Sequence, residues 1–492
     1  MTGTPLHTDS SETDVLIVGG GPIGLMLACL LRRADVEVTV VDRARAATRH
    51  SKATLIWPRS LELLEAADVA EDIVAVGHRI DAVTFNSRDD LLRAVDLNAL
   101  ADTRYAFGVS VRQSTVEDLL RRRLDALGGV VVAAECTAVV DRGAHVTVVV
   151  DDGAGERELT ARWVVGADGV DSLVRTAMGA EYEGYDVPAQ FILADSRLAG
   201  DIPRNRASYF FGPDGSLAVG PIGDDLYRVA WSVSALETAR PDDPSHVAEV
   251  IRSRSNLAVD VELVHYSAAF KAQVRHASAF RSGRLLLAGD AAHRMTPASG
   301  QGMNTGFGDA AALGWRLAGV VHGRLDSAQL DVYASERAAA ARQIEERTSA
   351  QSSHVDDWSS TRRGSVGPIP VMTTEQLAQF DVGDRVDVTY RGIAVGLGIP
   401  IALDAPTVVC WPGTRWTGDR WAGDRWAGAI DELAAKSPSG TRIIDAARMG
   451  NSRPPCVRTD HEIAAIIRPD GHLEGRYPLD EVVDRLIAAG WR

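Results

Sequence analysis

The residues with the clearest chemical potential stand near the start of the chain. Gly19, Gly21 and Gly24 form a G-x-G-x-x-G pattern within Gly19-Gly20-Gly21-Pro22-Ile23-Gly24. In such a loop the first glycine makes a tight turn, the second lets the backbone approach a pyrophosphate, and the third permits close helix packing. The free N–H groups and dipole of the following helix then favour the anion. Asp42 follows 18 residues after Gly24, a spacing at which an acid can bind an adenosine ribose. A bare tight turn would need only the glycines. The pattern alone does not separate NAD from FAD.

Two further runs carry carboxylates. Trp163-Val164-Val165-Gly166-Ala167 leads into Asp168-Gly169, and Arg284-Leu285-Leu286-Leu287-Ala288 leads into Gly289-Asp290. Each apolar run reads as a strand delivering an acid to its C-terminal end, where α/β sheets place their ligands. The second continues past His293 through Pro297 and Gly300 to Gly302, Met303 and Asn304, and then to Asp309. Its glycine-rich stretch opens a helix near Gly302, whose first N–H groups can face an anion. His293 reads as a residue that orients this loop rather than as a base. His50 and His78 are equally compatible with surface or packing roles.

These groups need elements to hold them. Residues 14–18 form an apolar strand, 23–33 repeat apolar positions at helical spacing, and 36–41 form a second strand, which together make a βαβ unit. Residues 80–97 and 189–272 are strand-rich, with strands at 207–211, 227–233 and 259–266. Tyr209, Phe211 and Trp231 on these strands are candidates to line a substrate pocket; burial between the sheet and a neighbour would use the same alternation. Helices are expected over 302–318 and 330–351. Beyond residue 358 the chain turns to Gly, Pro and Ser punctuation, with strands expected at 384–390 and 463–468 and a closing helix at 479–489. Three Arg-Trp units repeat every five residues over 415–429. That period matches neither helix nor strand, so the repeat reads as a duplicated loop, with an aromatic ligand platform as the alternative.

At 492 residues the chain exceeds what one hydrophobic core sustains, so several domains are expected. With 45% apolar and 24% charged residues it has the balance of a globular protein. Its net charge of -15 disfavours nucleic acid, which leaves small molecules as the expected partners. No apolar run reaches the length of a membrane span, and the polar start lacks a signal-peptide pattern, so the cytoplasm is the expected compartment. Cys29, Cys136, Cys410 and Cys456 form no CxxC pair, so neither zinc nor any other metal is expected.

The glycine fingerprint, the Asp168-Gly169 run and the Gly289-Asp290 run stand in an order and spacing that resemble the class A FAD-dependent monooxygenases with the p-hydroxybenzoate hydroxylase fold. The likeness covers residues 14 to about 351. It implies a discontinuous, Rossmann-like α/β FAD-binding domain over 1–79, 98–188 and 273–357, interrupted by a substrate-binding sheet domain at 80–97 and 189–272. By the resemblance Asp42 binds the FAD ribose, with Arg43 beside it, and Asp290 the ribityl or pyrophosphate region. Asp168-Gly169 would serve both FAD and the nicotinamide donor, and Arg112-Gln113 would contact the flavin. Pro297 would lie beside the isoalloxazine ring, with Gly300 in its loop and the backbone of Gly302, Met303 and Asn304 near N1. Asp42 stands where the family usually has Glu, Lys52 where an Arg is common, and Ser299 where a glycine pair usually begins. Lysine cannot form arginine's planar fork.

The stretch from Ile463 to Leu473 resembles the end of the thioredoxin-like C-terminal domain of the longer aromatic and polyketide hydroxylases, and 387–392 resembles its beginning. Residues 358–492 are therefore expected to form a linker and such a domain, without redox exchange. The implied activity uses NADH or NADPH and O2, through a flavin C4a-hydroperoxide, to hydroxylate an aromatic or polyketide-like substrate. A second strand-linked glycine fingerprint is missing, so the nicotinamide donor would visit transiently. Alternatives that keep the cofactor are epoxidation, Baeyer-Villiger insertion and antibiotic inactivation; a more distant one is a flavin-binding protein without turnover. A monomer or a homodimer is compatible with the sequence.

Overall fold

The computed structural model describes residues 13–44, 54–100, 103–223, 225–233, 240–295, 300–360, 407–411, 430–438, 441–445, 463–468, 473–478 and 481–489. The eight helices that frame the site are α1 (Pro22–Arg33), α2 (Pro58–Ala66), α3 (Ala70–Val76), α4 (Gln113–Ala126), α5 (Leu173–Ala177), α6 (Pro244–Arg254), α7 (Gln301–Val321) and α8 (Gln329–Ser360).

Val15, Leu16, Ile17 and Val18 are apolar at every position because both faces of their strand are covered, as in a parallel α/β sheet. Strand Thr13–Val18 pairs in parallel with Val38–Asp42 on one side and with Glu156–Gly166 on the other. Strand Leu285–Leu287 joins the outer side of Glu156–Gly166, again in parallel. Val18 pairs with Val41 and Gly166, and Gly166 pairs with Leu287. The register therefore ends all four strands side by side. The glycine loop, Asp42, Asp168 and Asp290 leave the sheet along one edge, although they are dispersed over the first 290 residues.

One face of this sheet packs on α1 and α7 through Leu27, Leu31, Phe307 and Leu313, and the other packs Leu16, Val164 and Leu287 around Val174 and Phe280. Helix α1 starts with Pro22 at its first turn after the Gly21 cap and ends in Arg32 and Arg33, which suits the helix dipole.

The second sheet has eight strands, ordered His293–Arg294, Val259–Ala277, Tyr182–Gly200, Leu226–Val233, Gly215–Gly223, Arg206–Gly212, Ala82–Asn86 and Leu91–Asp96. It is antiparallel except where Arg206–Gly212 meets Ala82–Asn86, which comes from a separate chain segment. The two long strands extend beyond the expected sheet segment at 189 and 272, and Val259–Ala277 pairs with His293–Arg294 directly behind Gly289-Asp290. Helix α6 covers one face, its first turn capped by Asp243 and Pro244.

The described C-terminal part is a mixed four-stranded sheet ordered Arg442–Asp445, Thr407–Trp411, Ile463–Ile467 and Leu473–Pro478. It closes with a helix at Val482–Ala488. The strand expected at 384–390 and the Arg-Trp repeat at 415–429 lie outside the described residues, as does His50.

Candidate cofactor and substrate site

Gly19 needs its positive φ of 110°, and a Cβ there would sit 2.2 Å from the carbonyl oxygen of Ala167. A Cβ on Gly24 would sit 2.0 Å from the carbonyl oxygen of Gly19. These two glycines are fixed by the protein's own packing. Gly21 differs: a Cβ there would meet nothing within 4 Å, so its surroundings leave room for a ligand at the N-terminus of α1. Gly302 is equally open, in the first turn of α7, which Gly300 starts in the left-handed region at φ 63°. Two helix N-termini thus present open, side-chain-free backbone, as a pyrophosphate and an anionic ring edge require.

The acids divide by role. Asp42 accepts from the backbone N–H of Gly20 and, at 2.6 Å, from that of Ala44. Asp168 accepts from Leu173 N, at the start of α5, at 2.8 Å through Oδ2, while its other oxygen, Oδ1, is buried without a partner among the described residues. Burial pushes its carboxyl above the ordinary range. An orphaned acceptor at the sheet edge fits a hydroxyl-bearing ligand. Asp290 is exposed at the turn, and its carbonyl accepts from the Tyr182 hydroxyl at 2.7 Å. The residues therefore fit FAD.

Beneath the Gly289-Asp290 turn lies a buried ionic cluster. Asp309 accepts from Gly289 N at 2.9 Å, from His293 Nε2 at 2.6 Å and from Arg337 Nε at 2.7 Å. Burial alone would raise the Asp309 carboxyl, but the charges and hydrogen bonds of His293 and Arg337 hold it below its ordinary value. Arg175 ties the two acid loops together, donating to Ala291 O at 3.0 Å and Val170 O at 2.7 Å and stacking 3.8 Å over the Tyr182 ring. His293 thus orients the loop. Asp309 and Arg175 are visible in the glycine-rich run and at the close of the Asp168-Gly169 run without their roles, and Arg337 carries no local signal.

Other expected residues are distributed around this edge. Pro22 and Ile23 open α1, with Ile23 3.1 Å from where a Cβ on Gly289 would stand. Met303 is buried, and Asn304 clamps the α7 start by accepting from Trp57 N at 3.0 Å and donating to Leu55 O and Gly300 O. Arg112 occupies the N-cap position of α4 without a side-chain capping bond, and Gln113 donates to Glu117 at 2.9 Å. Arg43 is exposed, while Lys52, Pro297 and Ser299 lie outside the described residues. His78 bonds the carbonyl of Arg204, away from the loops.

The three aromatic candidates separate. Tyr209 and Phe211 stack on Phe85, with centroids 5.6 and 6.4 Å away. Tyr209 and Phe85 adjoin Trp57 and Leu55, which the Asn304 clamp joins to the α7 start. Trp231 pairs with Leu217 and packs with Val247 and Ile251 under α6. It faces away from Tyr209 and Phe211, because side chains alternate along each strand. Trp231 is therefore corrected to a core residue.

Three strand ends carrying a glycine loop and two acid loops, beside an aromatic-faced antiparallel sheet, define a flavoprotein aromatic-hydroxylase architecture. Residues 12–348 match the family model described as FAD binding domain. An uncharacterized aromatic compound monooxygenase of Bacillus subtilis (strain 168) is 36% identical over 349 residues, covering 70% of this chain and 69% of the relative. The 6-methylpretetramide 4-monooxygenase of Streptomyces rimosus is 34% identical over 67% of this chain and 60% of its own length. The solved anhydrotetracycline hydroxylase of Streptomyces rimosus superposes with a TM-score of 0.67 at 25% identity, covering 98% of this chain and 99% of that one. The chain belongs to the FAD-binding family of class A aromatic and polyketide monooxygenases, and is an FAD-dependent enzyme of that class.

Replacing Asp42 or Asp290 with alanine is expected to give protein that purifies with little FAD, because each removes a carboxylate from the sheet edge at which Gly21 and Gly302 lie open. The ratio of flavin to protein absorbance reads this directly, and full occupancy in both variants would show that the site is misplaced.

Proposed function

We propose that the enzyme hydroxylates a polycyclic, polyketide-like aromatic compound, drawing electrons from NADH or NADPH and oxygen from O2. The observation that carries the substrate class is the Phe85, Tyr209 and Phe211 stack on the sheet face that adjoins Trp57 and Leu55. Flat aromatic side chains favour offset stacking with a flat ligand. The relatives that act on 6-methylpretetramide and anhydrotetracycline support the same class.

FAD, when bound, would supply the redox chemistry between the nicotinamide donor, O2 and an electron-rich ring. The chain's residues position the partners. Gly21 and Gly302 present open helix N-termini to the pyrophosphate and to the flavin edge that becomes anionic on reduction. Asp42 would receive the adenosine ribose, Asp290 the ribityl or pyrophosphate region, and Asp168 with Gly169 both FAD and the nicotinamide donor. Burial pushes the Tyr209 phenol up to about 12, which suits a hydrogen-bond donor on this face and not a base.

The C-terminal segment reads as a thioredoxin-like domain used for docking. Its mixed sheet supports this, as does the packing of Leu433, Ile466, Val482 and Leu486 on Trp315 of α7. Glu336 accepts from Arg316 at 2.7 Å and from Arg468 at 2.8 Å across the same contact.

A panel of polycyclic phenols tested for acceleration of NAD(P)H oxidation checks the reading. At least one is expected to accelerate flavin reduction strongly; slow oxidation insensitive to every aromatic ligand would contradict it.

A further inference from the structure

Asp42 is short for its task, with one methylene fewer than the glutamate usual at this place, so its direction must be set by its neighbours. One neighbour comes from a helix distant in sequence. Arg121, on α4, places Nη2 3.0 Å from the carbonyl oxygen of Gly20 and 3.9 Å from Asp42 Oδ2. Both side chains are mostly covered, at 18% and 15% exposed. The Nε of Arg121 is buried without a partner among the described residues, and its Nη2 meets the Gly20 carbonyl and the Asp42 carboxylate. A Cβ on Gly20 would come within 2.7 Å of Asp42 Oδ2 and 3.0 Å of Arg121 Nη2. Glycine at position 20 is what allows the three groups to converge.

The charges explain why such a brace is useful. A carboxylate beside a pyrophosphate is repelled by it, and a guanidinium next to the carboxylate offsets that repulsion. Each carboxylate oxygen has two lone pairs. Gly20 N–H takes one on Oδ2 and Ala44 N–H takes one on Oδ1, which leaves one on each oxygen for the two ribose hydroxyls. Arg121 holds the Gly20 carbonyl and the carboxylate in that arrangement.

We propose that Arg121 is a positioning residue that presents Asp42 to the adenosine ribose and thereby sets a preference for FAD over FMN. The inference rests on the FAD reading above. FMN ends at its phosphate and has no adenosine, so a residue acting through Asp42 affects FAD alone. A residue that merely supported the fold would weaken both flavins.

The test is a competition. The full-length chain is equilibrated with a mixture of FAD and FMN, and the retained flavins are released and separated. Arg121→Met is expected to lower the retained FAD-to-FMN ratio about tenfold, as loss of a charge-assisted contact should. Arg121→Lys, which keeps the charge without the fork, is expected to recover roughly a third of the wild-type ratio and also serves if the methionine variant does not fold. Asp42→Asn should reduce the effect of Arg121→Met, because the two residues act as one unit. A ratio unchanged within about twofold in the arginine variants, whether or not total flavin falls, would overturn the proposal. Wild-type protein that retained neither flavin would overturn the cofactor reading instead.

Discussion

Arg337→Met is expected to destabilise the protein by about 2–3 kcal/mol, because it removes a buried charge-assisted hydrogen bond from Asp309 and leaves His293 as the remaining charged partner. Asp309 is fully buried and Arg337 nearly so, and methionine roughly preserves the arginine stem while removing the charge. The pH dependence has a definite sign. In the wild type the Asp309 carboxyl lies below its ordinary 3.8, so its stabilisation is complete above that value and is lost as the pH falls through the lower folded value. In the variant the attraction of Arg337 is gone while that of His293 remains, so the folded value lies higher than in the wild type. The gap between the two proteins should therefore be widest near neutrality and narrow in acid. Urea unfolding at about pH 7 and about pH 4 measures it, in the absence of added flavin. A loss below about 1 kcal/mol, or a gap that widens in acid, would contradict the description of this cluster.

Gly19→Ala and Gly21→Ala should fail in different ways, although the positions are two residues apart. At Gly19 the new methyl would collide with the Ala167 carbonyl from a backbone conformation that alanine avoids, so the protein is expected to lose several kcal/mol or fail to fold. At Gly21, φ is -74° and the space is open, so alanine should cost no more than about 1 kcal/mol of stability. That methyl would nevertheless occupy the approach to the pyrophosphate. FAD binding is expected to weaken by at least tenfold, on the order of 1.4 kcal/mol. Thermal unfolding without flavin and flavin titration separate the outcomes. Equal losses of stability at both positions would contradict the open space at Gly21, and unchanged FAD affinity in Gly21→Ala would show that this space is not the approach to the pyrophosphate.

Much of this architecture is local in origin and therefore legible along the chain. The βαβ start, the two acid-bearing strands and the helix after Gly302 each declare themselves within about twenty residues through periodicity and glycine placement. What holds them together is not local. Arg337 reaches Asp309 across 28 positions, Arg175 reaches Ala291 across 116 and Arg121 reaches Gly20 across 101. A lone arginine on an amphipathic helix looks the same whether it faces water or a buried acid. Trp231 shows a related limit. Alternation places it opposite its strand neighbours, but only the packing of α6 identifies which face is covered. The expected sheet segment likewise missed the ends of the two long strands, because residues 182–188 and 273–277 lack a strong alternating pattern and are held by pairing with each other.

The central claim is that FAD held at this edge directs one atom of O2 into an aromatic ring on the neighbouring sheet. It is tested most directly by turnover under isotopically labelled O2, with NAD(P)H and a polycyclic phenol that accelerates flavin reduction. One labelled oxygen atom is expected in the product, as a new hydroxyl. Product whose added oxygen comes only from water, or NAD(P)H oxidation that yields hydrogen peroxide and unchanged phenol with every accelerating ligand, would contradict the account.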